Sequence, residues 1–189
     1  MPNAIRTFVA IEIPENITSS LHELQQGLKD YGIIIRWIHP ENIHLTLKFL
    51  GDVEAADIDD ISGAISNAAD GVSPISLKPK GIGIFPGIKR PRVLWVGLTG
   101  QLEFLIRLQK SLDENLRNIG FPQEKRPFKG HLTIGRIKAK MDIKKLGDAL
   151  IAFRNFESET FIADKIILFK SELKPQGAVY TSLASVSLA

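Results

Sequence analysis

The chain has 189 residues, of which 44% are apolar and 24% charged, a composition typical of one soluble globular domain, which we expect to span residues 1–189. It contains no cysteine, and this excludes disulfides, thiolate nucleophiles and zinc sites that need sulfur. The formal net charge of +3 permits a partner that carries phosphate but does not require one.

The N-terminal segment MPNAIRTFVAIEIPEN has one Arg and a short apolar run that Glu12 interrupts, so it lacks the layout of a secretory signal. No apolar run in the sequence approaches the roughly 18 residues of a membrane-spanning helix. We therefore predict a cytoplasmic protein without a membrane partner.

The first half of the chain predicts strands and amphipathic helices in turn. Residues 5–13 have strand composition, and Pro14 then opens a helix whose apolar stripe consists of Ile17, Leu21, Leu24 and Leu28. The next strand candidates are residues 33–38 and 43–49, and the turn residues HPEN between them predict a hairpin. A helix over residues 54–70 follows, and then two strands around the polar loop PGIKRP, ISLKPKGIGIF and RVLWVGL.

The second half repeats this scheme. Apolar positions from Leu102 to Ile119, including Ile106, predict a long helix that ends at Gly120. A strand over residues 131–137 comes next, and then a helix on Ile143, Leu146, Leu150 and Ile151. Two further strands enclose a second polar loop, SELKPQG; they are TFIADKIILFK and AVYTSLASVSL.

The tripeptide His-Leu-Thr occurs in both halves, in HLTLKFLG from His44 and in HLTIGRIK from His131. Each copy starts a predicted strand that a helix and two more strands follow, so the two copies take equivalent places in two structural repeats. We predict an α+β fold with two pseudo-symmetric lobes of largely antiparallel sheet, helices packed outside and a central cleft that receives both motifs.

Strand geometry predicts which side chains of the first motif share a face. Because residues i and i+2 of a strand point the same way, His44, Thr46 and Lys48 are predicted on the cleft face. The alternate positions are predicted in the core, and they are Leu45, Leu47 and Phe49. We also predict a core position for Trp37.

The second motif places His131 and Thr133 together on the cleft face in the same way. Imidazoles, with an unperturbed pKa of about 6.5, can serve as proton acceptor and proton donor near neutral pH. Threonine hydroxyls can donate hydrogen bonds to phosphoryl oxygens. The four groups together suit a phosphoryl group that is held between a base and an acid.

The other histidines, His22 and His39, are predicted to be exposed, one on a helix surface and one in a turn. Neither HExxH nor HxH occurs, and each His-Leu-Thr offers one nitrogen and an alcohol rather than a carboxylate. We therefore expect a site without a metal.

The two motifs resemble the paired His-x-Thr signatures of the two-histidine phosphoesterases, in particular the RNA 2',3'-cyclic phosphodiesterases, formerly called 2'-5' RNA ligases. The resemblance covers essentially the whole chain, because five segments match family segments in the family's order: RTFVAIEIP, PENIHLTLKFLGDV, GIGIFPGIKRPRVLWVGL, RPFKGHLTIGRIK and LKPQGAVY. It implies a two-lobed α+β fold and metal-independent hydrolysis, without a cofactor, of RNA 2',3'-cyclic phosphate ends to 2'-phosphomonoesters. It also implies that the reverse reaction, 2'-5' RNA ligation, is detectable in vitro.

The resemblance further implies roles for residues of this chain. His131 would be the general base that activates water, and His44 would be the general acid that protonates the departing ribose 3'-oxygen. Thr46 and Thr133 would hold the phosphate.

Basic residues near the motifs are candidates for binding substrate. Arg136 and Arg126 lie five residues after and before His131 and are suited to bidentate phosphate contacts, and Lys48 has the face parity of the first motif. Strict alternation puts Arg136 on the face opposite the imidazole, so it reaches the cleft only if Gly135 permits a bulge or the strand has ended. A basic rim for RNA is a further candidate, formed by Lys89, Arg90, Arg92, Lys170 and Lys174.

Two alternatives stay open at this point. A non-catalytic module that binds RNA ends would use the same cleft, and a cyclic phosphodiesterase could instead act on a small cyclic phosphate of a nucleotide or an ADP-ribose derivative. Two titratable imidazoles favour catalysis, because a binding module would be expected to use fixed cations such as Arg. The expected partner is RNA that ends in 2',3'-cyclic phosphate, with tRNA fragments among the candidates, and the expected state is a monomer.

Overall fold

The computed structural model of the chain describes residues 4–138 and 140–189. Its helices, in chain order, are α1 (Glu15–Asp30), α2 (Ile58–Ala69), α3 (Leu102–Asn118) and α4 (Ile143–Ala152). Its strands are β1 (Ala4–Glu12), β2 (Arg36–Trp37), β3 (His44–Glu54), β4 (Ile75–Phe85), β5 (Val93–Gly100), β6 (His131–Arg136), β7 (Phe161–Ala163), β8 (Lys165–Lys174) and β9 (Gly177–Ser187). Short 3₁₀ helices span Pro40–Asn42 and Ala55–Asp57.

Within the described residues, the strands form one sheet in the order β7-β4-β5-β6-β3-β1-β8-β9, and β2 pairs with β6. The pairings in this sheet are antiparallel. The two strands that begin with His-Leu-Thr, β3 and β6, are neighbours at its centre, where Leu45 pairs with Leu132. The structure therefore confirms the α+β class and the central position of both motifs.

The four helices pack against one face of the sheet, because their apolar stripes and alternate strand residues such as Leu45 and Leu132 join one core. In α1 the predicted stripe is buried throughout. The helix α3 ends at Asn118, and Gly120 closes it in the left-handed conformation with φ 101°, which glycine adopts without strain. None of the helices within residues 4–138 and 140–189 is long and apolar enough to span a membrane.

The buried apolar stripes of α3 and α4 are narrower than predicted. Ile106 and Ile119 of the α3 segment are exposed, and so are Ile143 and Ile151 of the α4 segment. Each of these helices lies on the sheet with one face only, so apolar residues at the margin of the predicted stripe stay in contact with solvent.

The opposite face of the sheet carries a second, smaller apolar cluster next to β3. Phe8 and Ala10 alternate along β1 with Val9 and Ile11 of the main core, and they meet Ile167 and Phe169 of β8, with Tyr180 packed against them. This face therefore has apolar surface of its own beside the first His-Leu-Thr strand.

The predicted hairpin over residues 33–49 is wrong. Only Arg36 and Trp37 form a strand in the first segment, and they pair with Arg136 and Gly135 of β6 rather than with β3. The HPEN residues instead form a 3₁₀ turn, in which Ile43 N–H donates to Pro40 O at 3.1 Å. This turn redirects the chain without folding it back on itself.

The second polar loop is also shorter than predicted. The strand β8 continues through Lys174 and β9 begins at Gly177, so only residues 175 and 176 of SELKPQG lie outside the strands. Pairing across this hairpin, with Leu173 opposite Ala178, gives the polar residues a strand conformation that their composition does not indicate.

The order of strands in the sheet differs from their order in the chain. The strands β4 and β5 follow the first His-Leu-Thr strand in sequence but lie beside the second, β6, whereas β8 and β9 lie on the side of β1 and β3. The two halves of the sequence are thus interleaved across the centre of the sheet.

Candidate active site

The two His-Leu-Thr motifs place their polar side chains on one face of the sheet. Leu45 and Leu132 pair across β3 and β6 and turn into the helix-covered core. In an antiparallel pair, one step along each strand then sets His44 opposite Thr133, and Thr46 opposite His131, on the other face. Residues directly opposite have Cβ atoms about 4.5–5.5 Å apart, so the four groups converge on a single cleft.

Each imidazole is held by the backbone carbonyl of the residue two positions before it in the chain. His44 Nδ1 lies 2.8 Å from the carbonyl oxygen of Asn42, and His131 Nδ1 lies 2.7 Å from that of Lys129. A carbonyl oxygen can only accept a hydrogen bond, so Nδ1 carries the proton in both rings. Nε2 is then the nitrogen of each ring that is available to accept or donate a proton in the cleft.

Aromatic side chains enclose His44. Its ring stacks on Phe8 with centroids 4.7 Å apart, and Tyr180 meets it edge-on at 5.2 Å. Burial in these surroundings lowers the pKa of His44 to about 4, against the raising effect of the Asn42 carbonyl and with smaller contributions from the charges of Arg136 and His131. The free site therefore holds this imidazole in its neutral form at neutral pH.

The surroundings of His131 contain a cation. Phe85 meets the imidazole edge-on with centroids 4.9 Å apart, and Trp95 lies at 6.4 Å. The ammonium of Lys129 sits 4.6 Å above the Trp95 ring. Burial lowers the pKa of His131, the Lys129 carbonyl opposes this shift, and the charges of Lys129 and Arg136 add to the lowering.

A β-bulge interrupts the alternation of side chains in each His-Leu-Thr strand. In β3, Lys48 pairs with Val9 and Thr46 with Ala10, which leaves Leu47 as the extra residue. In β6 the same shift between its partners on β5 leaves Ile134 as the extra residue. A bulge reverses the faces of the residues beyond it, so positions five residues after each histidine return to the cleft face.

The bulge in β6 brings Arg136 to the cleft face. Alternation along the strand would otherwise place this residue on the opposite face. Beyond the bulge Arg136 points to the face of the two histidines, and its charge lowers the pKa of His44 and of His131. The bulge in β3 does the same for Phe49, whose side chain is 65% exposed and whose ring lies 6.1 Å from that of Phe8. The predicted core position of Phe49 is therefore wrong.

The structure contradicts a substrate-binding role for Lys48. Beyond the bulge its side chain turns into the core, where the residue is 7% exposed and forms a buried ion pair with Asp113 of α3. Its ammonium also donates to the carbonyl oxygen of Pro122 at 2.8 Å. Lys48 thus stabilises the contact between β3 and α3 from the face opposite the histidines.

The other candidate residues lie outside the two His-Leu-Thr strands. Arg126 is exposed in the segment before β6, and nothing in the described part of the chain joins its guanidinium to either histidine. Trp37 is partly buried against the main core, as predicted. The predicted rim residues Lys89, Arg90 and Arg92 are exposed between β4 and β5, and Lys170 pairs with Glu172 at 3.3 Å; the remaining rim residue, Lys174, is exposed at the end of β8.

A pocket of about 540 Å³ adjoins His44. Its walls include the apolar side chains Ile43 and Phe169, the ring of Tyr180 and polar groups of Asn42, Glu12, Asp164 and Lys165. Such a mixture of aromatic surface and hydrogen-bonding groups suits a nucleoside better than a second phosphate.

His22 and His39 are exposed, as predicted. Within residues 4–138 and 140–189, no group of three or more histidine and acidic side chains is placed to hold a metal ion.

Sequence patterns did not identify the aromatic residues around the imidazoles, which come from distant strands: Phe8, Phe85, Trp95 and Tyr180. One signal was present for Trp95, because it alternates in β5 with Leu94 and Val96, which are fully buried in the core. That alternation places Trp95 on the cleft face.

Known proteins match this chain along nearly its whole length. The family model LigT like Phosphoesterase matches twice, over residues 11–95 and 97–180, once around each His-Leu-Thr motif. The RNA 2',3'-cyclic phosphodiesterase of Methanocaldococcus jannaschii is 38% identical over 176 residues, covering 93% of this chain and 96% of the relative. The protein of the same name from Methanothermobacter thermautotrophicus is 32% identical over 179 residues, covering 95% and 96%.

Solved structures share the fold. A crystal structure of a Thermus thermophilus protein superposes with a TM-score of 0.81 and 28% identity, covering 97% of this chain and 98% of that one. Escherichia coli LigT in its apo form superposes with a TM-score of 0.77 and 20% identity, covering 98% of each chain.

Proposed function

This chain belongs to the LigT-like phosphoesterase family, and we propose that it hydrolyses RNA 2',3'-cyclic phosphate ends to 2'-phosphomonoesters, with His131 as base and His44 as acid. Its enzyme class is that of the curated relatives, which are named as RNA 2',3'-cyclic phosphodiesterases. The observation that carries the catalytic proposal is the pair of imidazoles on neighbouring strands, each with Nδ1–H fixed on a backbone carbonyl.

The proposed reaction breaks the bond between phosphorus and the ribose 3'-oxygen. Nε2 of His131 accepts a proton from water as the water oxygen bonds to phosphorus, and Nε2 of His44 gives its proton to the departing 3'-oxygen. The products are a 2'-phosphate and a free 3'-hydroxyl. His131 is then protonated and His44 neutral, and exchange with solvent restores the starting forms.

The asymmetry of the cleft supports His44 as the acid. The pocket of about 540 Å³ lies on the His44 side and suits the terminal nucleoside, which places the ribose 3'-oxygen near that imidazole. Phe49, exposed on the same side, offers a face on which a base can stack. The attacking water then enters from the His131 side. In 2'-5' ligation, the 5'-hydroxyl of a second RNA takes the place of water, its proton passes to His131, and His44 again protonates the departing 3'-oxygen.

Three further groups are proposed to hold the phosphate. Thr46 and Thr133 share the cleft face with the imidazoles, and their hydroxyls can donate to the non-bridging oxygens. Arg136 adds a permanent positive charge that compensates the charge of the phosphate as it develops in the transition state.

Substrate binding itself is proposed to charge the acid. The pKa of both histidines is lowered in the free site, mainly by burial, so an imidazolium is rare there at neutral pH. A bound phosphodiester brings a negative charge next to Nε2 and neutralises the effect of Arg136, and both changes raise the pKa of the imidazoles. The acid is thus most available when the substrate is in place.

The proposal is tested with purified protein in chelator and a short RNA that ends in 2',3'-cyclic phosphate. We expect turnover to a product that carries only 2'-phosphate, identified by its separation from the 3'-phosphate isomer. A 3'-phosphate product would reverse the assignment of the leaving oxygen. Binding of the RNA without turnover would favour the RNA-end-binding module, and turnover of a small cyclic nucleotide in place of RNA would favour the small-substrate alternative.

We further propose that residues 1–189 act as one two-lobed domain and as a monomer. The two halves of the chain share one interleaved sheet, which supports a single domain. One copy of the chain supplies both histidines, so the site needs no second subunit, which supports a monomer.

A further inference from the structure

Gln25 is a buried polar side chain that the proposed reaction does not use. It lies on α1, is 1% exposed, and its Nε2 donates to the carbonyl oxygen of Ile38 at 2.8 Å and to that of Ile134 at 2.9 Å. Ile134 is the extra residue of the bulge in β6. The glutamine therefore supports the backbone at the point where the strand changes face.

Gln109 takes the corresponding place at the other bulge. It lies on α3, is 7% exposed, and its Nε2 lies 3.5 Å from the carbonyl oxygen of Leu47, the extra residue in β3. Each glutamine therefore supports the motif of the other repeat, because α1 precedes β3 in the chain but braces β6, and α3 precedes β6 but braces β3. The contact of Gln109 is longer than those of Gln25, but a glutamine at the corresponding place of each bulge indicates a feature of the site rather than incidental packing.

Two donors hold the extra residue of the bulge in β6. A bulge takes a residue out of the hydrogen-bond ladder, and its carbonyl oxygen can accept two hydrogen bonds. Ile38 N–H donates to Ile134 O at 3.0 Å, and Gln25 supplies the second donor from the helix side. The next residue, Gly135, packs so closely on Ile35 that any Cβ there would collide with that side chain.

We propose that Gln25 is a positioning residue, which holds the bulge at Ile134 and thereby keeps the guanidinium of Arg136 on the face of His44 and His131. Its contribution to turnover rests on the proposed function, because it acts on the phosphate only through Arg136. Its effect on the placement of Arg136 does not rest on the proposed function, and the titration of the histidines in the free protein reports that placement.

The test follows the NMR titration of the two imidazoles in the ligand-free protein. Arg136 lowers the pKa of both rings. The other charged or titratable groups around them are Lys129 beside His131, Tyr180 beside His44, each imidazole beside the other, Arg36 paired with Arg136, and the pocket residues Glu12, Glu41, Asp164 and Lys165. Gln25→Met has similar length and no donor, so we expect both titrations to move to higher pH, as in Arg136→Gln. The matched control is Gln109→Met, which relaxes the bulge in β3 that carries the uncharged Phe49 and is expected to leave the titration of His131 in place.

A double variant separates positioning from general loosening. Gln25→Met added to Arg136→Gln should cause no further shift, and Gln25→Met alone should raise the KM for cyclic-phosphate RNA on the order of tenfold, with a smaller effect on kcat. If Gln25→Met does not fold, Gln25→Asn, which keeps the amide but is too short to reach both carbonyls, gives the same comparison. A folded variant with unchanged titrations, or with equal shifts when Arg136 is absent, would overturn the proposal. Because titration needs no turnover, a failure of the proposed function leaves this result interpretable.

Discussion

The two imidazoles make the same type of hydrogen bond with the backbone but differ in their neighbours. His44 is enclosed by Phe8 and Tyr180, whereas His131 lies near the ammonium of Lys129. The shared contact fixes the tautomer, and the different neighbours distinguish the two rings by charge. Aromatic rings meet both imidazoles, so in this account the two halves of the site differ in the ammonium of Lys129 beside His131.

The lowered pKa values predict the pH dependence of kcat/KM, which reports the free enzyme. The reaction needs one charged and one neutral imidazole, and the pKa of both lies below the usual value, at about 4 for His44. We expect kcat/KM to peak below about pH 6.5 and to fall by about tenfold per pH unit well above that peak, as the charged form is lost.

The same experiment with Arg136→Gln measures the effect of the guanidinium. Its positive charge lowers the pKa of both histidines, so its removal should move the peak of kcat/KM to higher pH. Arg126→Gln, which removes an exposed guanidinium of the preceding segment, is the matched control and should leave the peak in place. A peak that stays in place or moves to lower pH in Arg136→Gln would contradict the position assigned to this residue.

At the scale of the elements, the bulges decide which residues reach the site. Alternation in HLT correctly predicts the faces of His44 and Thr46, because these residues precede Leu47. It fails for Lys48 and Phe49, which follow the bulge. No local pattern in the sequence marks a bulge whose support comes from a glutamine on a distant helix.

The lack of a local signal also explains why the sequence predicted the wrong partner for β2. Residues 33–38 have strand composition, but their partner is β6, about 100 residues later in the chain (136 − 36). Helices and individual strands follow from periodicity that is local in sequence, whereas strand partners depend on contacts between distant segments. The resemblance of the motifs therefore predicts the catalytic pair, while the neighbours of that pair required the structure.

The buried ion pair between β3 and α3 carries a prediction about stability. Lys48→Met leaves the carboxylate of Asp113 buried without its cation, so we expect the free energy of unfolding in urea to fall by about 3–5 kcal/mol. Lys48→Met combined with Asp113→Leu should recover most of this loss, because no charge is then left unpaired.

Its matched control is Lys78→Met, which breaks the more exposed pair with Glu157 and should change stability much less, since solvent screens that pair. Equal losses in Lys48→Met and Lys78→Met would show that burial of the first pair has no consequence. Lys48→Met should also retain its kcat per folded molecule, because the side chain lies behind the cleft.

At the scale of the molecule, the interleaved sheet makes each half depend on the other. The central strand β6 separates β5 from β3, so residues 1–100 without the second half would contain β1-β3 and β4-β5 as two unconnected pairs. Strand pairs of this kind are marginal when the sheet that joins them is missing.

We therefore predict that a fragment of residues 1–100 does not fold, as judged by poor dispersion of its amide NMR spectrum. The whole chain should unfold in one cooperative transition, with coincident curves from far-UV circular dichroism and tryptophan fluorescence. A well-dispersed spectrum from the fragment alone would show that the lobes are independent.

The central claim, that His44 and His131 exchange the protons, is tested most directly by turnover of cyclic-phosphate RNA in His44→Ala and His131→Ala. We expect each variant to lose at least about 100-fold in kcat while it stays folded and still binds the RNA, because each removes one proton carrier. His22→Ala and His39→Ala remove exposed histidines and serve as controls, with turnover close to that of the unmodified protein. A folded His44→Ala or His131→Ala protein that keeps near-normal turnover would contradict the two-histidine mechanism.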